Sequence, residues 1–356
     1  MRLLMLPRYG PLGASSRLRM YQYIPALEAA GFSVRVSPLF DDSYVLALYE
    51  QRRAWSAITK GYVRRVSRLL GSHSQDLVWI EKELLPWVVP AVEGLLRPRT
   101  AVAVDYDDAV FHRYDQHASG FIRRVLGGKI DAVMRGADLV TAGNAYLAER
   151  ATAAGSPWVE RLPTVVDLQR YTGPTSRDGG GPVVIGWIGS PATAEYLKIV
   201  TPALGQLSVT RSIRCVAVGA REDQVQGTPF EVVPWSEASE AEQVAAFDIG
   251  VMPLPDESWE RGKCGYKLIQ YMACGVPVVA SPVGVNTEIV TPGVNGELAD
   301  SSEQWLTVLT GLVDDPTLRA RQGNEGRRRV EEWYSLQAQA PRLVAILREA
   351  ANRRRT

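Results

Sequence analysis

Cysteine and histidine are scarce in this chain of 356 residues, which contains three of each. Cys215, Cys264 and Cys274 lack the spacing of metal ligands and are too few for a disulfide framework, which favours a reducing, cytoplasmic location. No apolar run approaches the ~20 residues of a membrane span. The net charge of +1 gives no electrostatic basis for binding nucleic acid. These absences exclude a disulfide scaffold, a zinc ribbon and an integral membrane protein.

The length fits two domains rather than one hydrophobic core. Strands and helices alternate along both halves, and this alternation predicts an α/β fold with two doubly wound parallel sheets. A glycine- and proline-rich stretch marks a linker. We therefore predict an N-terminal domain over 1–172, a linker over 173–182, a C-terminal domain over 183–336 and a final helix over 337–350. Other single helices are predicted over 18–30, 52–70, 122–135 and 193–207.

The most informative segment is residues 261–281, in which a glycine loop leads into a short helix and then a buried strand. The helix is predicted over Lys267–Cys274, with Gly275 just past its end. Arg261, Lys263 and Lys267 crowd its positive N-terminal end, where cations are unfavourable unless an anion lies among them. Together with the amides of the helix start, they predict a phosphate or diphosphate site. A solvated basic loop is the alternative.

The same segment carries a family resemblance. Gly-Lys-Cys-Gly-Tyr-Lys-Leu-Ile-Gln-Tyr-Met-Ala-Cys-Gly-Val-Pro resembles the donor half of glycosyltransferase family 4, also called glycosyl transferases group 1. The resemblance implies a GT-B fold, in which two Rossmann-like domains face a cleft and the last helix crosses back to the N-terminal domain. The family's two glutamates are replaced here by Gly262 and Gln270. Gln270 keeps a hydrogen-bonding group at the ribose position, and the sugar-facing acid is missing. Glu260 is a candidate to replace it.

Two further loops follow predicted strands, where ligands bind in α/β sheets. In the first, Gly189, Ser190 and Thr193 supply amides and hydroxyls, and the resemblance implies that they face the donor diphosphate together with Gly265. Helix capping by Ser190 is the alternative. In the second, Gly13 precedes a helix start that carries Arg17 and Arg19. The resemblance implies that Gly13 lets the backbone approach the donor.

Asp105, Asp107 and Asp108 follow the strand predicted over 101–104. We expect one of these carboxylates to bind the donor sugar or the acceptor hydroxyl, with Asp105 a candidate sugar ligand and Asp107 and Asp108 candidate catalytic acids. Capping of a helix by Asp108 is the alternative. An Asp-x-Asp metal site is also conceivable from the spacing. The resemblance implies instead that no metal and no cofactor is needed.

The implied reaction is the transfer of a sugar from a nucleoside diphosphate to an acceptor hydroxyl, with retention at the anomeric carbon. Lys267 would stabilise the leaving diphosphate. The acceptor is a sugar, a lipid-linked molecule or a natural product. Two alternatives stay open. A nucleotide-sugar 2-epimerase shares the fold, although His73, His112 and His117 lie far from the donor segment, and a silent partner subunit would explain the lost glutamates.

The helix predicted over 52–70 combines basic residues with an aromatic and apolar stripe. Its basic residues are Arg52, Arg53, Lys60, Arg64, Arg65 and Arg68. The favoured interpretation is an ordinary domain helix with its apolar face in the core. The alternative is an interfacial helix, which would place the protein at the inner face of an anionic membrane and favour a lipid-linked acceptor.

Overall fold

The structure is a computed structural model, and it describes residues 1–50, 52, 54–71, 74–171, 173 and 180–354. The chain divides into two compact units. Unit 1 comprises Met1–Thr164, the short segment Gly262–Cys264 and the chain from Gln339 on, and unit 2 comprises Val165–Arg261 and Gly265–Ala338. The division falls at Thr164, ahead of the predicted linker, of which residues 174–179 lie outside the described residues.

Each unit contains a six-stranded sheet in which all neighbouring strands are parallel. The order in unit 1 is β2-β1-β3-β4-β5-β6, and the order in unit 2 is β12-β11-β10-β7-β8-β9. The strands are β1 (Arg2–Leu6), β2 (Ser33–Val36), β3 (Leu77–Glu81), β4 (Ala101–Tyr106), β5 (Leu139–Ala142), β6 (Val159–Arg161), β7 (Val183–Ile188), β8 (Ile213–Val218), β9 (Phe230–Val233), β10 (Ile249–Met252), β11 (Val278–Ala280) and β12 (Gly296–Leu298). The expected α/β fold with two doubly wound sheets is confirmed.

The helices pack on both sheets. They are α1 (Ala14–Arg19), α2 (Ile24–Ala29), α3 (Asp42–Tyr49), α4 (Trp55–Leu70), α5 (Pro90–Leu95), α6 (His112–Asp115), α7 (Gly120–Leu126), α8 (Lys129–Gly136), α9 (Ala145–Ala153), α10 (Thr201–Thr210), α11 (Glu222–Val225), α12 (Glu240–Ala245), α13 (Ser258–Arg261), α14 (Tyr266–Ala273), α15 (Asn286–Ile289), α16 (Ser302–Asp314), α17 (Pro316–Arg329) and α18 (Leu336–Arg353). Two 3₁₀ segments, Tyr21–Tyr23 and Pro191–Ile199, and one π turn, Val330–Tyr334, join them.

Three predicted helices are each divided in two or more pieces, and the divisions have local causes. The helix predicted over 18–30 restarts at α2, where Pro25 occupies the first turn. The helix predicted over 193–207 is a 3₁₀ segment followed by α10, whose first turn contains Pro202. Proline lacks an amide hydrogen and is favoured in the first turn, where the helix needs no bond from it. The helix predicted over 122–135 is interrupted at Gly127 and Gly128, because glycine loses more conformational entropy than any other residue when it is ordered in a helix.

Both cores are built from strand residues and the helix faces that cover them. In unit 1 one face of the sheet packs against apolar residues of the covering helices, such as Ile130, Met134 and Leu147. In unit 2 two clusters lie on opposite faces of the sheet, one around Tyr271 and the other around Trp305. With both faces covered, the functional groups are confined to the ends of the strands.

Candidate functional site

Strand order defines where each sheet would bind a ligand. In an open parallel sheet the crossover direction reverses at one pair of neighbouring strands, and the loops that leave their carboxyl ends diverge and open a crevice. In unit 2 this pair is β7 and β10, and in unit 1 it is β1 and β3. Three of the predicted loops lie at these positions, because Gly189 follows β7, the segment leading to α14 follows β10, and Gly13 follows β1. The acidic loop of unit 1 instead follows β4, the next strand after β3 in the sheet.

Helix α14 begins at Tyr266, one residue before the predicted start. Its N-cap, Gly265, has a φ of 65°, and no side chain caps the helix. The left-handed backbone favours glycine. A Cβ at this position would also lie 2.4 Å from Ile289 Cδ1, so packing excludes larger residues. The start of α14 therefore requires glycine at position 265, and no side chain occupies the cap of its first amides.

Lys267 and Gly189 meet at this crevice. The Lys267 Nζ lies 5.4 Å from the centroid of the Trp187 ring, a distance at which a cation and an aromatic face attract. A Cβ at Gly189 would lie 2.6 Å from the Lys267 Cε and 2.5 Å from the Trp187 ring. A side chain at position 189 would therefore clash with the Lys267 side chain, which passes over this glycine. Two residues predicted from separate motifs are in contact.

The Ser190 side chain does not cap a helix. It occupies the N-cap position of the Pro191–Ile199 segment, but no hydrogen bond from its side chain is formed there. The Thr193 hydroxyl donates to the Ser190 carbonyl oxygen at 3.2 Å. The Ser190 side chain itself is exposed and follows Gly189 directly in the chain. The capping alternative is therefore wrong for the Ser190 side chain.

One of the three predicted cations is engaged by a neighbouring acid. The Arg261 guanidinium is bound to Asp256, with N–O distances of 2.7 and 3.0 Å, and both side chains are exposed. Lys263 belongs to unit 1, whereas Lys267 belongs to unit 2. Within unit 2, Lys267 is the predicted cation that lies at the crevice.

Two predicted donor ligands of unit 2 are engaged inside the protein. The Gln270 amide is 3% exposed and donates to the Tyr171 hydroxyl at 2.8 Å, which in turn donates to Glu240 at 3.0 Å. Glu260 is 4% exposed and accepts a hydrogen bond of 2.6 Å from Tyr196. Gln270 and Glu260 therefore act as internal hydrogen-bonding groups in this structure.

Asp105 is not available to a sugar. It belongs to β4 rather than to the following loop, and it is fully buried. Its carboxylate binds the Arg19 guanidinium through both oxygens, at 2.9 and 2.6 Å, and also accepts from the Thr141 hydroxyl at 2.5 Å. The expectation for Asp105 as a donor-sugar ligand is thus wrong.

Arg19 is correspondingly structural. Its remaining nitrogen donates to the Leu162 carbonyl oxygen at 2.8 Å. Burial lowers the pKa of Arg19, but the Asp105 carboxylate more than offsets this effect, so that the net pKa lies above its ordinary value. Arg19, one of the two cations predicted at this helix, is therefore engaged in a buried ion pair.

Asp107 and Asp108 lie beyond β4 and share a lysine that the sequence analysis missed. The Lys82 Nζ lies 2.9 Å from Asp107 Oδ1 and 3.7 Å from Asp108 Oδ2. The Ser15 hydroxyl donates to Asp107 at 2.5 Å. Asp107 is 13% exposed, whereas Asp108 is 34% exposed and can reach solvent. Asp108 caps no helix, since the N-cap of α6 is Phe111, and that alternative is wrong.

The two carboxyl groups differ in acidity. Burial raises the pKa of Asp107, but the Lys82 ammonium and the Ser15 hydroxyl outweigh this effect and hold the net pKa below its ordinary value. Burial and the neighbouring Asp107 charge raise the pKa of Asp108, and Lys82 and Lys263 offset this rise in part. Such a division within a pair is typical of functional sites.

Lys82 has an unusual backbone. Its φ is 67°, one of two positive values among the described residues other than glycine. A bulky residue in this region costs on the order of 1–3 kcal/mol. The sequence did contain a signal, because the buried strand β3 runs directly into Glu81-Lys82-Glu83, three consecutive charges at the carboxyl end of a strand.

The segment Gly262–Cys264 lies against the same part of unit 1. The Asn144 amide donates to the Lys263 carbonyl oxygen at 2.9 Å, and the Cys264 thiol donates to the Asp107 carbonyl oxygen at 3.1 Å. A Cβ at Gly262 would lie 2.4 Å from the Ala109 Cβ. The position of the missing family glutamate therefore has no room for a side chain. At Gly13, a Cβ would likewise lie 2.4 Å from the Tyr9 Cβ.

In the described ranges, no three His, Cys, Asp or Glu side chains are grouped as a metal site requires. No described helix is long and apolar enough to cross a membrane.

Similarity to known proteins agrees with this geometry. Over 98% of its length the chain superposes on HepE of Anabaena in complex with UDP-glucose, with a TM-score of 0.74, 17% identity and all of that chain covered. It also superposes on sucrose-phosphate synthase of Thermosynechococcus elongatus, with a TM-score of 0.71 and 17% identity over 98% of both chains. The two doubly wound sheets thus form the GT-B fold.

Residues 182–315 match the family model of glycosyl transferases group 1. The resemblance drawn from residues 262–281 is therefore confirmed. The chain is 29% identical over 236 residues to a GDP-mannose-dependent monoacylated alpha-(1-6)-phosphatidylinositol monomannoside mannosyltransferase of Corynebacterium glutamicum. That match covers 59% of this chain and 62% of the relative. A D-inositol 3-phosphate glycosyltransferase of Xylanimonas cellulosilytica is 27% identical over 165 residues, which are 44% of this chain and 36% of that one.

We predict that Arg19→Met destabilises unit 1 by about 3–5 kcal/mol, because it leaves the buried Asp105 carboxylate without a counter-charge. The double variant Arg19→Met/Asp105→Asn should recover a large part of this loss. Denaturant unfolding of the three proteins measures the effect. If Arg19→Met unfolds at the same denaturant concentration as the unmodified protein, the buried ion pair does not have the assigned structural role.

Proposed function

We propose that this chain is a glycosyltransferase that moves a sugar from a nucleoside-diphosphate sugar to an acceptor hydroxyl. The observation that carries the proposal is the contact between Lys267 and Gly189 at the start of α14, within the segment that matches the family. A cation packed on an aromatic ring beside uncapped helix amides suits a diphosphate. The relative in Corynebacterium glutamicum makes GDP-mannose the first donor to test.

The two units would have separate roles in the reaction. In unit 2, Lys267 and the first amides of α14 would stabilise the negative charge that develops on the leaving diphosphate. In unit 1, Asp108 and the buried Asp107 would accept a hydrogen bond from the acceptor hydroxyl and orient it. The acceptor oxygen forms a bond to the anomeric carbon, the bond from that carbon to the diphosphate breaks, and the hydroxyl proton passes to Asp108 while the diphosphate leaves as the anion.

Attack on the same face as the leaving group would give retention of the anomeric configuration. Retention by double displacement requires a carboxylate beneath the anomeric carbon. The candidates for that role are engaged elsewhere, because Asp105 is paired with Arg19 and Glu260 accepts from Tyr196. This arrangement favours front-face attack assisted by the leaving phosphate.

A silent partner subunit is the second candidate, and one observation favours it. The Gln270 amide bonds to Tyr171 inside unit 2 instead of standing open for a ribose. Release of sugar from GDP-mannose or UDP-glucose by the purified protein separates the two candidates, because a silent subunit leaves the donor intact.

The structure does not support the 2-epimerase alternative, because both His112 ring nitrogens are engaged, by Asp115 at 2.8 Å and by Tyr146 at 2.7 Å. His73 lies outside the described residues.

Lys267→Ala should raise the dissociation constant of the nucleoside diphosphate at least tenfold, a loss of about 1.4 kcal/mol. It should also lower turnover, because the charge it compensates grows in the transition state. Lys198→Ala, which removes an exposed lysine from the same unit, is the matched control. Titration calorimetry measures both. Equal affinities for the two variants would remove Lys267 from the diphosphate site.

Sugar transfer should continue in EDTA, because Lys267 and helix amides rather than a cation are proposed to neutralise the diphosphate. Rates are measured before and after chelation, with Mn²⁺ or Mg²⁺ added back. Loss of the activity in EDTA and its return with the cation would instead make Asp107 and Asp108 metal ligands.

The acceptor is proposed to be lipid-linked, with α4 lying at an anionic membrane. Trp55, Val63 and Leu70 are 69%, 62% and 67% exposed, and their spacing places them on one side of the helix. Lys60 and Arg68 are also exposed. The apolar stripe predicted from the sequence instead packs on the core of unit 1 through Ile58, Tyr62, Val66 and Leu69, as the favoured interpretation of an ordinary domain helix expected.

The basic face is smaller than the sequence suggested. Arg65 is 1% exposed and donates to the Pro7 carbonyl oxygen at 2.7 Å, and Arg64 donates to two main-chain oxygens. Burial lowers the pKa of Arg65 to about 9. Arg52 precedes α4 and pairs with Glu50. Arg53 lies outside the described residues.

Co-sedimentation with anionic vesicles at low salt should therefore occur and should weaken in Trp55→Ser. Trp333→Ser, which changes a 54% exposed tryptophan of unit 2, is the matched control. Equal sedimentation with neutral and anionic vesicles, or no sedimentation at all, would leave a sugar or natural product in solution as the acceptor.

A further inference from the structure

Lys82 lies in a strained turn at the point in unit 1 where a ligand is expected. The Glu83 amide donates to the Glu81 carbonyl oxygen at 2.8 Å, which closes a three-residue γ-turn centred on Lys82. A φ of 67° is that of the rare, strained form of this turn. The turn directly follows β3, which with β1 forms the pair of strands where the crossover direction reverses.

The γ-turn directs the Lys82 ammonium to three acceptors at the ends of other elements. These are Asp107 Oδ1 at 2.9 Å, Asp108 Oδ2 at 3.7 Å and Ser15 Oγ at 3.2 Å. The Lys82 side chain is 8% exposed. A buried ammonium that bridges two neighbouring carboxylates fixes their positions and their shared charge.

A comparison within unit 1 indicates that packing alone does not explain this arrangement. Lys129 is also buried and also bridges two acids, Glu83 at 3.1 Å and Glu93 at 2.7 Å, but it lies in the ordinary backbone of α8. Both of its acids are buried. Lys82, by contrast, holds one acid that reaches solvent and does so from a strained backbone. Persistent strain of this kind is concentrated at functional sites.

We propose that Lys82 is a positioning residue of the acceptor site: its γ-turn holds the ammonium between Asp107 and Asp108, which keeps Asp107 charged and presents Asp108 to the acceptor hydroxyl. The proposal rests on the proposed function for its acceptor. In this proposal Lys82, which follows β3, determines which of the two carboxylates after β4 faces the acceptor hydroxyl.

Several charged groups act on this carboxyl pair. Lys82 after β3, Arg19 in α1 and Lys263 in the short segment 262–264 act on the pair directly, and Ser15 donates a hydrogen bond to it. Glu81 at the end of β3 and Arg8 after β1 act on Lys82, and the Cys264 thiol faces both carboxyl groups. Lys82 is the cation that contacts both carboxylates. Its removal should therefore raise the pKa of Asp107 and of Asp108 together.

The direction of the pH effect follows. The hydroxyl is oriented by an ionised Asp108, so that the rate falls as pH falls through the pKa of Asp108. Loss of the ammonium raises this pKa, because a nearby positive charge that favours the ionised carboxylate is removed. The acidic limb of the pH–rate profile should accordingly move to higher pH in Lys82→Met and stay near its original position in Lys82→Arg.

Lys82→Gly separates charge from strain. Glycine accepts the positive φ without cost, so Lys82→Gly should melt at a higher temperature than Lys82→Met while showing the same displaced limb. Trp87→Gly is the matched strain control, because Trp87 has a φ of 63° and is 48% exposed. It should change the melting temperature without moving the limb.

The decisive measurement is the carboxyl ¹³C titration of Asp107 and Asp108 in the full chain, with Asp108→Asn to assign the signals, beside the pH–rate profile. The proposal is upheld if both titrations move upward in Lys82→Met and Lys82→Gly but not in Lys82→Arg. It is overturned if the titrations and the limb stay in place in all three variants. If no protein transfers sugar, the proposed function fails, and the titrations alone still decide the role of Lys82.

Discussion

The requirement that buried charges be paired shapes the carboxyl end of the unit 1 sheet. The bidentate contact between Arg19 and Asp105 satisfies it first, because both side chains are fully buried and neither could remain charged alone. This contact joins α1 to β4 and, through the Leu162 carbonyl oxygen, to the end of the domain. It also removes Asp105 from the acidic run, so that Asp107 and Asp108 become the acids that Lys82 organises.

In unit 2 the polar side chains below and beside α14 are arranged differently. Gln270, Tyr171 and Glu240 form an internal chain of hydrogen bonds below α14. Lys267 instead extends over Gly189 and the Trp187 ring to the end of β7. A cation on an aromatic face retains much of its field, and the neighbouring helix amides add to it.

Local patterns in the sequence predicted most of the strands and the two sheets, because apolar runs and glycines report the backbone directly. Lys267 and Gly189 were assigned separately to a diphosphate site, Gly189 through the family resemblance, and the structure brings them into contact. They could not predict partners distant in sequence. Arg19 and Asp105 are 86 positions apart, and a charged residue next to a helix start gives no sign that an opposite charge will be buried against it. The γ-turn at Lys82 was also missed, since a positive φ at lysine contradicts local preference and is stabilised by tertiary contacts.

The central claim is that unit 2 binds a nucleoside-diphosphate sugar at the start of α14. Thermal unfolding of the full chain with GDP-mannose, UDP-glucose and a dTDP-sugar tests it most directly, because a ligand stabilises the state that binds it. At about 100 times the dissociation constant the gain is roughly 2.7 kcal/mol. For a unit of this size we expect a rise of about 5–10 °C with one nucleotide and little with the others. An unchanged melting temperature with every nucleotide sugar at millimolar concentration would contradict the account.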